Sequence, residues 1–150
     1  MESRQRTAEK ELAELVEQLL AGVRVFQAGG QEAADGNDLS DRINRAAKHM
    51  AVRLYSQFDA ADHDQWSKVL DEARKGSLEA LKAVGHTQEA DKHPVCQKLL
   101  AFIGPGKKGA EIRENFEAPP FGWPRDAIDG ALYALLAAGH IKASDAASKP

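Results

Sequence analysis

Segment 93–143 places the strongest constraint on the fold, because proline and glycine divide it into three short apolar stretches. Pro94 suits the first turn of a helix, and the loop 104–106 ends that helix sharply. A second short helix follows, and the proline-rich loop 119–124 leads into a third. The pattern predicts a winged-helix-like (helix-turn-helix) subdomain over residues 91–143, in which residues 140–142 begin a strand of the wing.

Residues 1–90 carry longer amphipathic patterns, which predict a helical subdomain. Apolar residues recur at spacings of three and four in segments 9–22, 39–58 and 62–75, and a shorter helix is expected at 78–84. Alternation in residues 23–28 favours a strand, so a short hairpin near residues 23–34 is one interpretation. The tail 144–150 is small and polar, which is typical of a disordered terminus. The expected fold class is mainly α, with one or two short strands.

The predicted wing lacks a second strand after Lys142. A strand without a partner leaves backbone donors and acceptors unsatisfied. We therefore expect either that the chain stops within the wing or that residues 23–28 pair with residues 140–142.

Charge and cysteine content narrow the partners and the compartment. The chain has 150 residues with 20 basic and 23 acidic side chains, and its formal net charge of −3 disfavours a free-standing, non-specific nucleic-acid binder. A single cysteine, Cys96, cannot form an intrachain disulfide, so a reducing cytoplasm is the expected location. No apolar run is long enough to span a bilayer, and no membrane contact is expected.

Direct binding of duplex DNA would depend on the basic residues of the C-terminal subdomain. The candidates are Lys107, Lys108, Arg113, Arg125 and Lys142. In a helix-turn-helix protein the third helix reads the major groove with its N-terminal residues. Here that helix carries aspartates beside Arg125, and phosphates would repel them. With Lys98 included, residues 93–143 have six basic residues and five acidic ones, a net charge of +1. The balance predicts at most a weak contact with DNA.

Aromatic residues supply the candidates for a protein interface, which are Phe121, Trp123 and Tyr133. Aromatic anchors are enriched at the centres of interfaces. Trp123 has a second interpretation, in which it folds down and seals the helical core. The last helix would direct an apolar face that includes Leu135 and Leu136 toward the same core.

No constellation for catalysis, a metal or a cofactor stands out. The loop 104–109 resembles a phosphate loop, but Lys108 stands where a serine or threonine would hold Mg²⁺, and a helix precedes it instead of a strand. His86, His93 and Cys96 lack the fourth ligand of a structural zinc site. The cluster 59–64 is more simply a helix-capping loop. We expect no catalytic residue, no metal and no cofactor.

Three stretches together resemble the BrxC/PglY family, the large P-loop ATPase proteins of BREX phage-defence systems. They are LYSQFDAADHDQWSKVL (54–70), AVGHTQEADKHPVCQKLLAFIG (83–104) and GKKGAEIRENFEAPPFGWPRDAIDGALYALLAAGHIKA (106–143), and the phrase PPFGWPRDAIDGAL is the most distinctive. The resemblance implies an internal segment of a much longer protein, away from the nucleotide site, with a role in a multi-protein complex that acts on invading DNA. The family's ATP-binding motif is absent from this sequence, so the resemblance assigns no catalytic residue.

Three functions follow as expectations. The favoured one is a non-catalytic structural and interaction module of a larger BREX ATPase, whose partners are other BREX components or the rest of the parent protein. The first alternative is a winged-helix module that binds duplex DNA directly. The second alternative, a small stand-alone enzyme, has the least support in the sequence.

Overall fold

The computed structural model describes residues 2–26, 30 and 38–144. The chain divides into two compact units, Met1–Leu54 and Tyr55–Pro150. The described residues form six α-helices, namely α1 (Glu2–Ala21), α2 (Leu39–Leu54), α3 (Trp66–Arg74), α4 (Pro94–Ile103), α5 (Gly109–Glu117) and α6 (Arg125–Ala137). Three short 3₁₀ helices lie at Phe58–Ala61, Ala80–Val84 and Ala90–Lys92.

The first unit contains α1 and α2. Asp38 caps the start of α2, because its Oδ1 accepts a hydrogen bond from the Asp41 N–H at 2.7 Å. The Arg42 guanidinium donates to the carbonyl oxygen of Val23 at 3.0 Å and so ties the end of α1 to α2. Among the described residues of this unit, Ala46 is the one buried hydrophobic side chain. Most of the apolar surface of both helices is therefore exposed.

Helix α6 is the centre of the second unit, and α3 lies along it. The close approach depends on Gly130, because a Cβ at that position would lie 3.3 Å from the backbone N of Leu70 and 3.4 Å from the carbonyl O of Trp66. Helices α4 and α5 also pack against α6. The core between these helices contains the most deeply buried large side chains: Trp123, Phe116, Leu99, Ile128, Leu135, Val69, Val95 and Cys96.

Two indole N–H groups bind the start of this unit to its core. Trp66 Nε1 donates to the Ala61 carbonyl oxygen at 2.9 Å, and Trp123 Nε1 donates to the Gln57 carbonyl oxygen at 2.9 Å. The second bond joins residues that are far apart in the sequence. Segment 55–62 is therefore part of the same folded body as α6.

The prediction of a mainly helical chain is confirmed, but the predicted boundary after residue 90 does not match the observed division. Residues 55–90 and 91–143 share one core, because α3 packs along α6 and Ala90 itself is buried. The described helix α2 also ends at Leu54, earlier than the predicted residue 58.

The prediction of a strand at residues 140–142 is wrong. After α6 the chain folds back on the helix end: the N–H groups of Gly139 and His140 donate to the carbonyl oxygens of Leu136 (3.1 Å) and Leu135 (2.9 Å). Ile141 then packs against the core. The His140 N–H, the first donor of the predicted strand, is therefore used to close the helix.

The predicted hairpin lies only partly within the described residues. Residues 23–25, in the first predicted strand, form no strand. Residues 27–29 and 31–34 of the predicted hairpin lie outside the described part of the chain. The predicted disordered tail covers residues 144–150, and residues 145–150 of it also lie outside the described part of the chain.

Candidate interaction surface

Arg113, a candidate for binding DNA, is held by a carboxylate of its own unit. Its Nε lies 2.8 Å from Oδ1 of Asp129, and its Nη2 lies 3.0 Å from Oδ2, so the pair is bidentate. Asp129 is 8% exposed and sits on α6, whereas Arg113 projects from α5. The hydrogen bond to Asp129 raises the pKa of Arg113. The interaction joins α5 to α6 and satisfies a carboxylate that would otherwise be buried without a counter-charge.

Arg125, the candidate at the start of α6, is paired in the same way. Its Nε lies 2.8 Å from Oε1 of Glu117 and its Nη2 lies 3.4 Å from Oε2. Glu117 ends α5, so this bridge spans the loop between the two helices. The hydrogen bond from Arg125 lowers the pKa of Glu117. Both arginines that the sequence offered to a phosphate are therefore already bound to carboxylates.

The three candidate lysines lie apart from these bridges. Lys107 Nζ is 5.4 Å from the centroid of the Phe102 ring, which is a cation–π distance. Lys108 precedes α5, and its backbone N–H donates to Oε2 of Glu111 at 3.3 Å, which caps the helix. Lys142 is exposed beyond the end of α6. The two arginines are therefore bound to carboxylates of α5 and α6, whereas the three lysines lie in or next to the loop before α5 and beyond the end of α6.

Trp123 belongs to the core and does not serve as an exposed anchor. It is 2% exposed, and its ring stacks on Phe116 with centroids 4.7 Å apart and planes 11° from parallel. Of the two interpretations of this residue, the one in which it seals the helical core describes the structure. Phe121 is half-buried against the same pair of rings, at 4.6 Å from Phe116. The loop before α6 returns to the last turn of α5, where the Trp123 N–H donates to the Phe116 carbonyl oxygen at 2.8 Å.

Tyr133 is the candidate that remains accessible, with 38% of its surface exposed. Leu136 lies one turn further along α6 and is 37% exposed, so the two side chains form one patch, which we call the α6 patch. The Arg74 guanidinium carbon lies 5.4 Å from the centroid of the Tyr133 ring. The apolar pattern of the last helix predicted that Leu136 belongs to the core, and nothing in the sequence pointed to Arg74 as a neighbour of Tyr133. The spacing of three between Tyr133 and Leu136 was the available signal.

The histidines near α4 stabilise the fold. His93 Nδ1 accepts a hydrogen bond from the Val95 N–H at 3.2 Å and so caps α4, while its ring meets Trp66 edge-on at 5.4 Å. Burial, together with nearby His86, lowers the pKa of His93 to about 4. His86 Nε2 is 3.0 Å from the Glu89 carbonyl oxygen. One ring nitrogen of each histidine, Nδ1 of His93 and Nε2 of His86, thus contacts the backbone of its own unit.

Cys96 is a free thiol, buried where α4 meets α6. Its Sγ lies 4.0 Å from the Ala131 carbonyl oxygen. Burial, with a smaller effect from Asp91, raises the pKa of the thiol to about 12. The thiolate is the form that binds metals and attacks electrophiles. Because the raised pKa keeps the thiol protonated, Cys96 is unreactive in the folded protein.

The loop between α4 and α5 lacks the setting of a phosphate loop. It joins two helices at residues 104–108, whereas a phosphate loop follows a strand. In the part of the chain that the structure describes, no three His, Cys, Asp or Glu residues are placed to hold a metal ion. In the cluster 59–64, His63 Nδ1 accepts from the Gln65 N–H at 3.1 Å, a turn that lies just before α3; α3 itself has no side-chain cap, so the predicted capping role of this cluster is not observed.

Comparison of the chain with protein-family models, with curated proteins and with solved structures gave no match. Among the described helices, none has the length and apolar character that crossing a membrane requires.

Proposed function

We propose that this chain is a non-catalytic interaction module of a larger BREX-type ATPase. In this role it positions protein partners while a P-loop elsewhere in the parent protein hydrolyses ATP. The observation that carries the proposal is the internal pairing of Arg113 with Asp129 and of Arg125 with Glu117. A surface whose arginines are already bound to carboxylates gains little from a polyanion, because binding would exchange one ion pair for another.

The packing of α4, α5 and α6 supports the helix-turn-helix part of this proposal. Each of the three helices contacts the other two, as the helices of such a domain do. We assign residues 91–143 to a winged-helix-like arrangement without the wing. The sequence resemblance to the BrxC/PglY family supports the assignment to a BREX protein. A reducing cytoplasm is the location we propose, because the chain has a single cysteine, Cys96, and that residue is buried.

The α6 patch is the surface that we assign to the partner. It combines the exposed ring of Tyr133 with the exposed Leu136, and Arg74 flanks it. Tyrosine and arginine are enriched among the residues that dominate binding energy at interfaces. Replacing Tyr133 and Leu136 with serine removes this apolar surface without touching the buried core.

A co-purification experiment with the other BREX components, each expressed and purified separately, tests the proposal. The tagged full chain should retain at least one component, and the double variant Tyr133→Ser/Leu136→Ser should lose it. The matched control is Lys107→Glu/Lys108→Glu, which alters charge away from the patch and should retain the partner. Failure of the wild-type chain to retain any component would contradict the proposal.

Fluorescence anisotropy with duplex DNA at two salt concentrations tests the alternative function. We expect weak binding, with a dissociation constant above about 10 µM at physiological salt, which is the non-specific range. Sub-micromolar binding that weakens steeply with salt and is lost in Lys107→Glu/Lys108→Glu would instead establish a DNA-binding module. Turnover of ATP by the chain alone would contradict the non-catalytic role.

A further inference from the structure

The first unit exposes more apolar surface than its own described residues cover. Eleven of the fourteen exposed large hydrophobic side chains of the described residues lie in it: Leu12, Leu15, Val16, Leu19, Leu20, Val23, Phe26, Ile43, Met50, Val52 and Leu54. On α1 they recur at spacings of three and four, and on α2 three of them lie seven and four apart, so each helix carries one stripe. Most of the stability of a helix in a protein comes from tertiary packing of its apolar face. A further surface is therefore needed to cover the stripes.

The two helices carry opposite charge, which indicates what that surface is. In the part of α1 whose side chains the structure describes, residues 6–21, four glutamates stand against one arginine and one lysine, a net charge of −2. Helix α2 has three arginines and one lysine against one aspartate, a net charge of +3. Two copies of α1 would repel each other, and so would two copies of α2. An α1 stripe laid along an α2 stripe brings opposite charges together at its edges.

Within one chain the two helices meet where α1 ends and α2 begins. Arg42 bridges them there, and Leu20, Leu39 and Ile43 line an open groove of about 680 Å³ between them. Beyond this meeting point the stripes stay exposed, with Leu15 at 56% and Leu54 at 53%. One chain thus presents both complementary faces at once, which is the condition for a self-complementary two-fold interface.

We infer that two copies of this chain associate through their first units, with α1 of each copy lying along α2 of the other. At a rise of 1.5 Å per residue and a width of about 10 Å, α1 and α2 together present about 540 Å² of projected area per copy. Side-chain relief raises the accessible area above the projection, toward the roughly 800 Å² per partner of a stable interface. The inference is independent of the proposed function.

The mass of the full chain in solution, measured by light scattering during size exclusion, tests the inference. We expect twice the mass of one chain. Leu15→Asp/Leu19→Asp should yield the single-chain mass, because it places carboxylates in the centre of the α1 stripe. Leu78→Asp is the matched control, since Leu78 is 72% exposed in the second unit, and it should keep the doubled mass. A single-chain mass for the wild type at every concentration would overturn the inference.

Charge reversal tests which helices meet. Glu11→Lys/Glu17→Lys makes both helices basic, and Lys48→Glu/Arg53→Glu makes both acidic, so the dissociation constant of each variant alone should rise about tenfold or more. An equimolar mixture of the two variants should form a mixed dimer as tight as the wild type, which native mass spectrometry identifies. If the mixture stays dissociated, or if each variant dimerises as well as the wild type, the pairing of α1 with α2 is wrong.

Discussion

His93 should make the second unit sensitive to acid. The perturbation is His93→Asn, because asparagine is among the favoured N-cap residues and does not titrate. In the folded protein the pKa of His93 is lowered from 6.5 to about 4, first by burial and then by His86. Above about pH 6.5 the ring is neutral in both the folded and the unfolded chain and adds no pH dependence. As the pH falls toward 4, the unfolded chain binds a proton that the folded protein refuses, and stability falls.

The size of the effect follows from the same two values. At 1.36 kcal/mol per pH unit, the interval from 6.5 to about 4 sets a ceiling of about 3.4 kcal/mol. We expect about 2 kcal/mol, because solvent and relaxation around a partly buried ring soften the cost of charging it. The contribution is complete above the unfolded pKa and is lost as the pH passes down through the folded pKa.

Urea unfolding measured by tryptophan emission is the assay, since Trp66 touches the His93 ring and Trp123 lies in the same core. The free energy of unfolding is compared between wild type and His93→Asn at about pH 7.5 and about pH 4.5. Carboxylates titrate in both proteins and cancel in the difference. The wild type should lose about 2 kcal/mol more than the variant over this interval. Parallel pH profiles of the two proteins would refute the argument that burial suppresses protonation of His93.

Three further substitutions test the packing of the second unit by urea unfolding. Trp123→Ala should cost about 3–5 kcal/mol, because it empties a site in the core; a loss below about 1 kcal/mol would show that the ring is not buried in solution. Arg113→Ala should lower the free energy of unfolding by about 1–2 kcal/mol, since it leaves a buried aspartate unpaired. Arg125→Ala breaks an exposed pair and should lower it by less. Equal losses in the two variants would contradict the difference in burial between the two pairs. Gly130→Val should cost about 2 kcal/mol by forcing α3 from α6, and Gly109→Val, where a Cβ meets nothing within 4 Å, should change stability little; a neutral result at Gly130 would mean that α3 can shift freely.

The sequence predicted the helices of the second unit well, because their boundaries are set locally. Pro94 and the glycine that follows α4 act on their own neighbours, and the spacing of apolar residues fixes the buried face. The pattern failed where the outcome depends on distant partners. The polar run 86–92 has the composition of a linker, yet Ala90 is buried in the core. No local signal distinguishes a linker from a turn that a distant helix covers.

The candidate site shows the same division. The sequence identified Arg113 and Arg125 as candidate cations of the C-terminal subdomain, but each is paired with a carboxylate 16 or 8 residues away along the chain. Asp129 looked like a repulsive charge on an outward face, whereas in the structure it is buried and paired. Likewise the sequence left Trp123 with two interpretations, in the core or at a surface, because the position of Gln57, whose carbonyl oxygen accepts the indole N–H, is set by tertiary structure. Such choices belong to tertiary structure.

The burial of Cys96 has a practical consequence. This sulfur is the one thiol of the chain, and in the folded state it is both covered and protonated. An alkylating reagent can therefore reach it only when α4 separates from α6. The rate at which the native protein is alkylated therefore reports the rate or the population of spontaneous opening of the core. Cys96 thus serves as a natural single-site probe of local unfolding between α4 and α6, and no cysteine has to be introduced for the measurement.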